Sequence, residues 1–223
     1  MREEIEEAVN RLKKSKAPGV DNISAEEIQA AGNSGTEILL SMCRMIWEEE
    51  KFPQMWKKLI IPLHKKDTMN CDNYRGISLL PHCEKVMASV ILQRIRQRTE
   101  EILSEAQAGF RPGRSTIDQL FTLRRLTEMY IEYGKYLYVC YTDFQKAFDS
   151  VWRIGLWRVM RFLGYEEKIV RILEALYQDT ISAVRADGGL SDWFATVVGI
   201  LQGCILSPLL FNKRQKLKVY NYV

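Results

Sequence analysis

Asp143 closes the run Tyr136-Leu137-Tyr138-Val139-Cys140-Tyr141-Thr142, which is apolar on both faces. Such a pattern predicts a central buried strand rather than an edge. A carboxylate at the end of a buried strand is costly to desolvate unless a cation meets it, and a divalent metal ion is one such partner. A second carboxylate follows in Asp143-Phe144-Gln145-Lys146-Ala147-Phe148-Asp149. Either aspartate could instead cap a following helix, and for Asp149, just ahead of Ser150-Val151-Trp152, capping is the favoured reading.

Basic residues cluster near turns. Lys65 and Lys66 lie in a polar stretch ahead of Arg75, while Arg111 and Arg114 share the Gly- and Pro-punctuated run Gln107-Ala108-Gly109-Phe110-Arg111-Pro112-Gly113-Arg114. A point-charge lysine and a forked guanidinium both suit phosphate oxygens. The competing reading is a solvated basic surface, preferred for Lys66. Gln202 precedes Gly203, which would let the backbone approach a neighbour closely, although Gln202 could simply satisfy a turn. His64 and His82 stand near Cys71 and Cys83, but their spacing fits no zinc pattern, so they read as structural or exposed.

Helical periodicity marks the elements that must hold these residues. It runs through Ile5, Ala8, Val9 and Leu12, resumes after the N-cap candidates at Asp21 to Ser24, and recurs from Ile38 to Trp47. Leu59 to Leu63 and Tyr74 to Leu79 predict a hairpin with a basic tip. Further helices are predicted around Val86 to Ile95, Ile117 to Leu126 and Ile169 to Tyr177, and from Ser207-Pro208 onward. Ile181 to Arg185 and Trp193 to Val198 predict strands joined through Gly188-Gly189.

The 223-residue chain is 47% hydrophobic and 27% charged, which excludes disorder, collagen and coiled coil. A net charge of +4 permits a nucleic-acid partner without demanding one. Five cysteines with no Cys-x-x-Cys pair argue against a disulfide framework and a structural zinc site, and point to a reducing compartment. The acidic start MREEIEEAVN is unlike a secretory leader, and the apolar stretch from Gly199 to Phe211 is too short for a bilayer. A nuclear or cytoplasmic, non-secreted protein without a membrane partner is expected.

The run around Asp143 resembles the first catalytic motif of reverse transcriptases of non-LTR (LINE-type) retrotransposons. Four more segments resemble other motifs of that family in its order. They are Lys16-Ala17-Pro18-Gly19-Val20-Asp21, Tyr74-Arg75-Gly76-Ile77-Ser78-Leu79-Leu80, Gln107 to Ser115, and Gly203 to Asn212. The resemblance implies RNA-directed DNA synthesis on an RNA template and DNA primer, with deoxynucleoside triphosphates as substrates. It implies Asp143 and the Phe144 carbonyl as ligands of two Mg²⁺ ions, hard cations that need oxygen donors. Phe148 would exclude a ribose 2′-hydroxyl, Lys65 and Arg75 would grip the triphosphate, and Gln202 would pack near the incoming nucleotide. Arg111 and Arg114 would contact template or primer phosphates, without sequence readout.

The implied fold is α+β: right-hand polymerase fingers at 1–135 and a partial palm at 136–212, with helices on a small antiparallel sheet whose central strand carries Asp143. Residues 213–223 do not resemble the family's continuation and read as a basic, solvated tail. Members of the family carry an aromatic-Ala-Asp-Asp hairpin after the segment ending at Asn212, and this sequence has none. Leu201 and Gly76 are smaller departures. Polymerase activity of these 223 residues alone is therefore not expected. The alternative is a non-catalytic nucleic-acid-binding remnant. A third reading is a poorly folding fragment with an unpaired sheet edge and with Leu209, Leu210 and Phe211 uncovered.

Overall fold

A computed structural model describes residues 1–64, 69–70, 73–186 and 188–220, the side chains of 214–220 excepted. The first three helices are α1 (Arg2–Asn10), α2 (Ala25–Ala30) and α3 (Gly32–Glu49); α1 buries Ile5, Ala8 and Val9, α2 buries Ile28, and α3 buries Leu39, Leu40, Cys43 and Ile46 while Ile38 and Met45 face solvent. Ser24 starts α2 with a capping box: its Oγ accepts from Glu27 N–H at 3.2 Å while its own N–H donates to the Glu27 carboxylate at 2.7 Å. These helices pack on α4 (His82–Ile102), where Val86, Met87, Val90 and Ile91 are fully buried. Arg94 of α4 grips Glu4 of α1 through two hydrogen bonds of 2.8 Å.

Strands β1 (Lys58–His64) and β2 (Tyr74–Leu79) form the expected antiparallel hairpin, with Leu59 opposite Leu79 and His64 opposite Tyr74. On its other edge β1 pairs with β3 (Ile181–Ala186), and that pairing is parallel. The return from β3 is split into β4 (Gly189–Leu190) and β5 (Phe194–Ala195), both antiparallel to it. The sheet is therefore mixed, not antiparallel as expected. Helical segments between β1 and β3 supply the crossover that parallel neighbours require. Lys58 forms a buried ion pair with Glu84, tying β1 to α4.

Three helices complete the main core: α6 (Arg153–Phe162), α7 (Glu167–Tyr177) and α8 (Ser207–Tyr220). Leu156, Met160, Ile172, Leu173, Leu206 and Leu210 belong to the same buried cluster as the residues of α1, α3 and α4. Leu210 and Phe211 are thus covered and Leu209 packs on the core, unlike in the reading of a poorly folding fragment. The expected tail also differs, because α8 runs on to Tyr220 and Lys213 is buried with its ammonium 5.2 Å from the Tyr165 ring centre.

The largest departure concerns residues 136–142, which form no strand and are mostly exposed: Tyr136, Tyr138 and Tyr141 are 84%, 89% and 80% accessible. A central strand needs a hydrogen-bonding neighbour on each side, and no described strand pairs with this segment. The preceding helix, α5 (Thr116–Glu132), forms as predicted from its periodicity and starts on a Ser115–Asp118 capping box, yet buries none of its residues.

Candidate nucleotide-binding site

Three backbone contacts bring distant segments together beside β2. Ser78 N–H donates to the Gln202 carbonyl at 2.7 Å, Ile200 N–H to the Phe148 carbonyl at 2.9 Å, and Gly199 N–H to the Val151 carbonyl at 2.9 Å. Two glycines make this closeness possible. At Gly199 (φ +82°) an added Cβ would lie 2.8 Å from the Asp149 carbonyl oxygen, and at Gly203 (φ +113°) 2.7 Å from that of Ser78.

Arg153 secures the loop from behind. Its buried guanidinium donates to the carbonyls of Gly199 (2.8 Å), Tyr177 (2.8 Å), Thr196 (2.7 Å) and Val198 (3.3 Å), and burial pulls its pKa below the ordinary arginine value. The 196–199 backbone is thereby fastened to the end of α7. Nothing in the sequence marked Arg153, since an arginine in the first turn of a helix ordinarily faces solvent.

On this frame Arg75 and Gln202 meet, 127 positions apart: Arg75 Nε donates to Gln202 Oε1 at 2.7 Å. Gln202 Nε2 in turn donates to Asp149 Oδ1 at 2.8 Å. Asp149 is not the helix cap it was expected to be, because α6 starts after Trp152 with no side-chain cap. The signal that could have revealed its role was its place directly after Phe148. That ring stacks on Phe211 with centroids 5.1 Å apart and planes 20° apart, and meets Phe110 edge-on at 6.0 Å. Phe144 is half-buried and meets Phe211 edge-on at 6.4 Å, whereas Asp143, one residue earlier, is exposed on non-strand backbone.

The other predicted site residues lie elsewhere or are already engaged. Lys65, with Lys66 and Cys71, lies outside the described residues. Arg111 is turned into the protein, only 8% of its side chain reaching solvent, and donates to Glu100 at 2.7 Å and to the Ser104 carbonyl at 3.0 Å. The Glu100 carboxylate raises its pKa, and both contacts engage its guanidinium within the protein. Arg114 is paired with the highly exposed Glu105. His64 is exposed, and His82 is buried with Nδ1 2.9 Å from the Ile23 carbonyl oxygen. A cleft of about 420 Å³ between α6, α7 and the 195–197 backbone contains none of Asp143, Arg75 or Gln202.

Residues 63–214 match the family model described as reverse transcriptase (RNA-dependent DNA polymerase). The "Probable RNA-directed DNA polymerase from transposon BS" of Drosophila melanogaster is 31% identical over 94% of this chain, which covers 24% of that protein. The "RNA-directed DNA polymerase from mobile element jockey" of the same organism is 28% identical over 94% of the chain and 23% of its own length. The chain thus spans about a quarter of the curated relatives it matches. Among solved structures, the "Partial Cas6-RT-Cas1--Cas2 complex" aligns with 99% of this chain and 34% of its own, with a TM-score of 0.53 at 16% identity, a likeness of fold.

The chain belongs to the reverse transcriptase family. Its relatives place it with the RNA-directed DNA polymerases of non-LTR retrotransposons, the branch that its motifs resemble.

Proposed function

We propose that these residues form the nucleotide-gripping part of an RNA-directed DNA polymerase, with fingers at 1–135 and a partial palm at 136–212, acting on an RNA template, a DNA primer and deoxynucleoside triphosphates. The observation that carries the reading is the hydrogen bond between Arg75 and Gln202, which joins two of the predicted nucleotide contacts on one surface. In this reading the terminal nitrogens of Arg75 bind the triphosphate as a fork. Lys65 adds a point charge, and Phe148, locked by its stack on Phe211, stands against the sugar. Arg114 exchanges Glu105 for a template or primer phosphate, and Arg111 holds the loop that carries it.

The donor set does not fit two Mg²⁺ ions. Asp143 is one exposed carboxylate beside the Phe144 carbonyl, and among the described residues no group of three or more His, Cys, Asp or Glu side chains could hold a metal ion. Hard cations in near-octahedral sites need more oxygen donors than these, so no transfer step is derived for this chain.

The test is calorimetric titration of the 223-residue polypeptide with a deoxynucleoside triphosphate, alongside primer extension on an annealed RNA template. Binding weakened about tenfold or more by Arg75→Ala, without sustained extension, is the expected result. Undiminished binding in Arg75→Ala would remove the proposed triphosphate site. Extension abolished by Asp143→Ala would show that the carboxylates present suffice.

A further inference from the structure

We infer that Asp149 is a positioning residue that sets the orientation of the Gln202 amide and, through it, of the Arg75 guanidinium. The Gln202 side chain lies between a cation and an anion: Oε1 accepts from Arg75 Nε at 2.7 Å and Nε2 donates to Asp149 Oδ1 at 2.8 Å. The flipped amide would set Nε2 against the Arg75 N–H and Oε1 against a carboxylate, two donors and two acceptors face to face. The chemistry of the neighbours therefore fixes which way the amide points. Both hydrogen bonds have a charged partner, which makes them stronger than those of a neutral turn.

The consequence is directional. Arg75 is held by its Nε edge, so its two terminal nitrogens, which have no hydrogen-bond partner among the described residues, stay available as a fork for an anionic oxygen pair. Without Asp149 the amide keeps only the Arg75 contact to orient it, and it is held less firmly in the orientation that accepts from Arg75. The adjacency of Asp149 to Phe148 couples the aromatic surface to the cationic one. The assignment of a triphosphate to the fork rests on the function proposed above, whereas the orientation of Gln202 does not.

The experiment uses the full 223-residue chain. The ¹⁵N–¹H signals of Arg75 Nε and of the Gln202 side-chain amide are recorded for wild type, Asp149→Asn and Asp149→Ala, and each protein is titrated with a deoxynucleoside triphosphate. Asp149→Ala should broaden or shift the Arg75 Nε signal, and should weaken triphosphate binding about tenfold. Asp149→Asn keeps an acceptor for Gln202 and should recover most of both, which a general folding defect would not allow. In the Asp149→Ala, Gln202→Ala double variant the losses should not add, because the two residues act as one unit. An unchanged Arg75 Nε signal in folded Asp149→Ala overturns the inference, as does additive loss. A changed signal with no triphosphate binding in any variant upholds the positioning role and refutes the triphosphate reading.

Discussion

Replacing Arg153 by Met sets two large effects against each other. The substitution removes a cation that is only 9% exposed and has no carboxylate partner among its hydrogen bonds, which relieves desolvation. It also takes a donor from four carbonyls, of which Tyr177 keeps the Thr180 hydroxyl at 2.9 Å while those of Gly199, Thr196 and Val198 lose the guanidinium. A buried acceptor left unpaired costs about 1–3 kcal/mol. Counting the Gly199, Thr196 and Val198 carbonyls and allowing water to reach part of the opened space leaves a net loss of about 3–5 kcal/mol. With a urea slope of about 2 kcal/mol per molar, the unfolding midpoint should fall by roughly 1.5–2.5 M. The loss exceeds the relief because methionine fills the volume but offers no donor. Arg153→Lys retains one compact donor group and should fall between the two. Urea titration followed by tryptophan fluorescence measures both. An Arg153→Met protein as stable as wild type would show that desolvation dominates and that the guanidinium does not hold the 196–199 loop.

Four shorter expectations follow from other contacts. Arg94 holds the Glu4 carboxyl down at about 2 from 4.5, so Glu4→Gln should cost about 1–2 kcal/mol after allowance for solvent screening. Because the folded pKa is depressed, that wild-type advantage is complete above pH 4.5 and fades as pH falls towards 2, a trend that urea titrations across this range would detect. Gly203→Ala puts a Cβ against the Ser78 carbonyl at φ +113° and should cost at least about 2 kcal/mol, and triphosphate binding should weaken with it; a neutral effect in both melting and titration would contradict the close approach. Burial pushes the Cys43 and Cys204 thiols up to about 12 and about 11, so a thiol reagent at pH 8 should label exposed Cys140 before either, as peptide mass spectrometry can check. Changing Tyr136, Tyr138 and Tyr141 together to Ser should reduce binding of a hydrophobic dye and leave the unfolding midpoint nearly unchanged, whereas a marked loss of stability would mean that the segment is packed.

Elements with short-range signals were legible in the sequence. The N-cap within Asp21 to Ser24, the hairpin of Leu59 to Leu63 with Tyr74 to Leu79, and the apolar spacing of α7 each depend on residues close in the chain, and each appears as expected. Long-range partners were not legible. The two-faced apolar pattern of 136–142 states that a strand there would be buried, but not which strands would bury it, and none of the described ones does. The same gap hid the parallel pairing of β1 with β3, since periodicity carries no information about neighbour order. At the site, Arg75 and Gln202 were marked by resemblance, while Asp149 looked like a cap because its sequence neighbours outweighed its spatial ones. The pairing of Arg111 was hidden for a related reason: the reach of Glu100 from α4 cannot be seen in local sequence.

The largest of these differences, the absent strand at 136–142, lies on one side of a physical boundary between Asp143 and Phe144. From Phe144 onward the chain is fastened: Phe144 and Phe148 pack on Phe211, Phe148 binds Ile200 through the backbone, and Asp149 binds Gln202. Every one of those partners lies in the 196–212 stretch, which Arg153 and α8 anchor to the core, so the Arg75–Gln202 surface needs nothing from residues 136–142. Asp143 lies on the other side, on backbone with no ladder to fix it. A phosphate grip needs one oriented fork, which a single side-chain chain of hydrogen bonds can supply. Metal-assisted transfer needs several carboxylates held to within a fraction of an ångström, which only a paired strand and its neighbours provide. In the proposed reading, nucleotide binding and nucleotidyl transfer are separable along this chain, because the packing around Arg75 and Gln202 does not extend to Asp143.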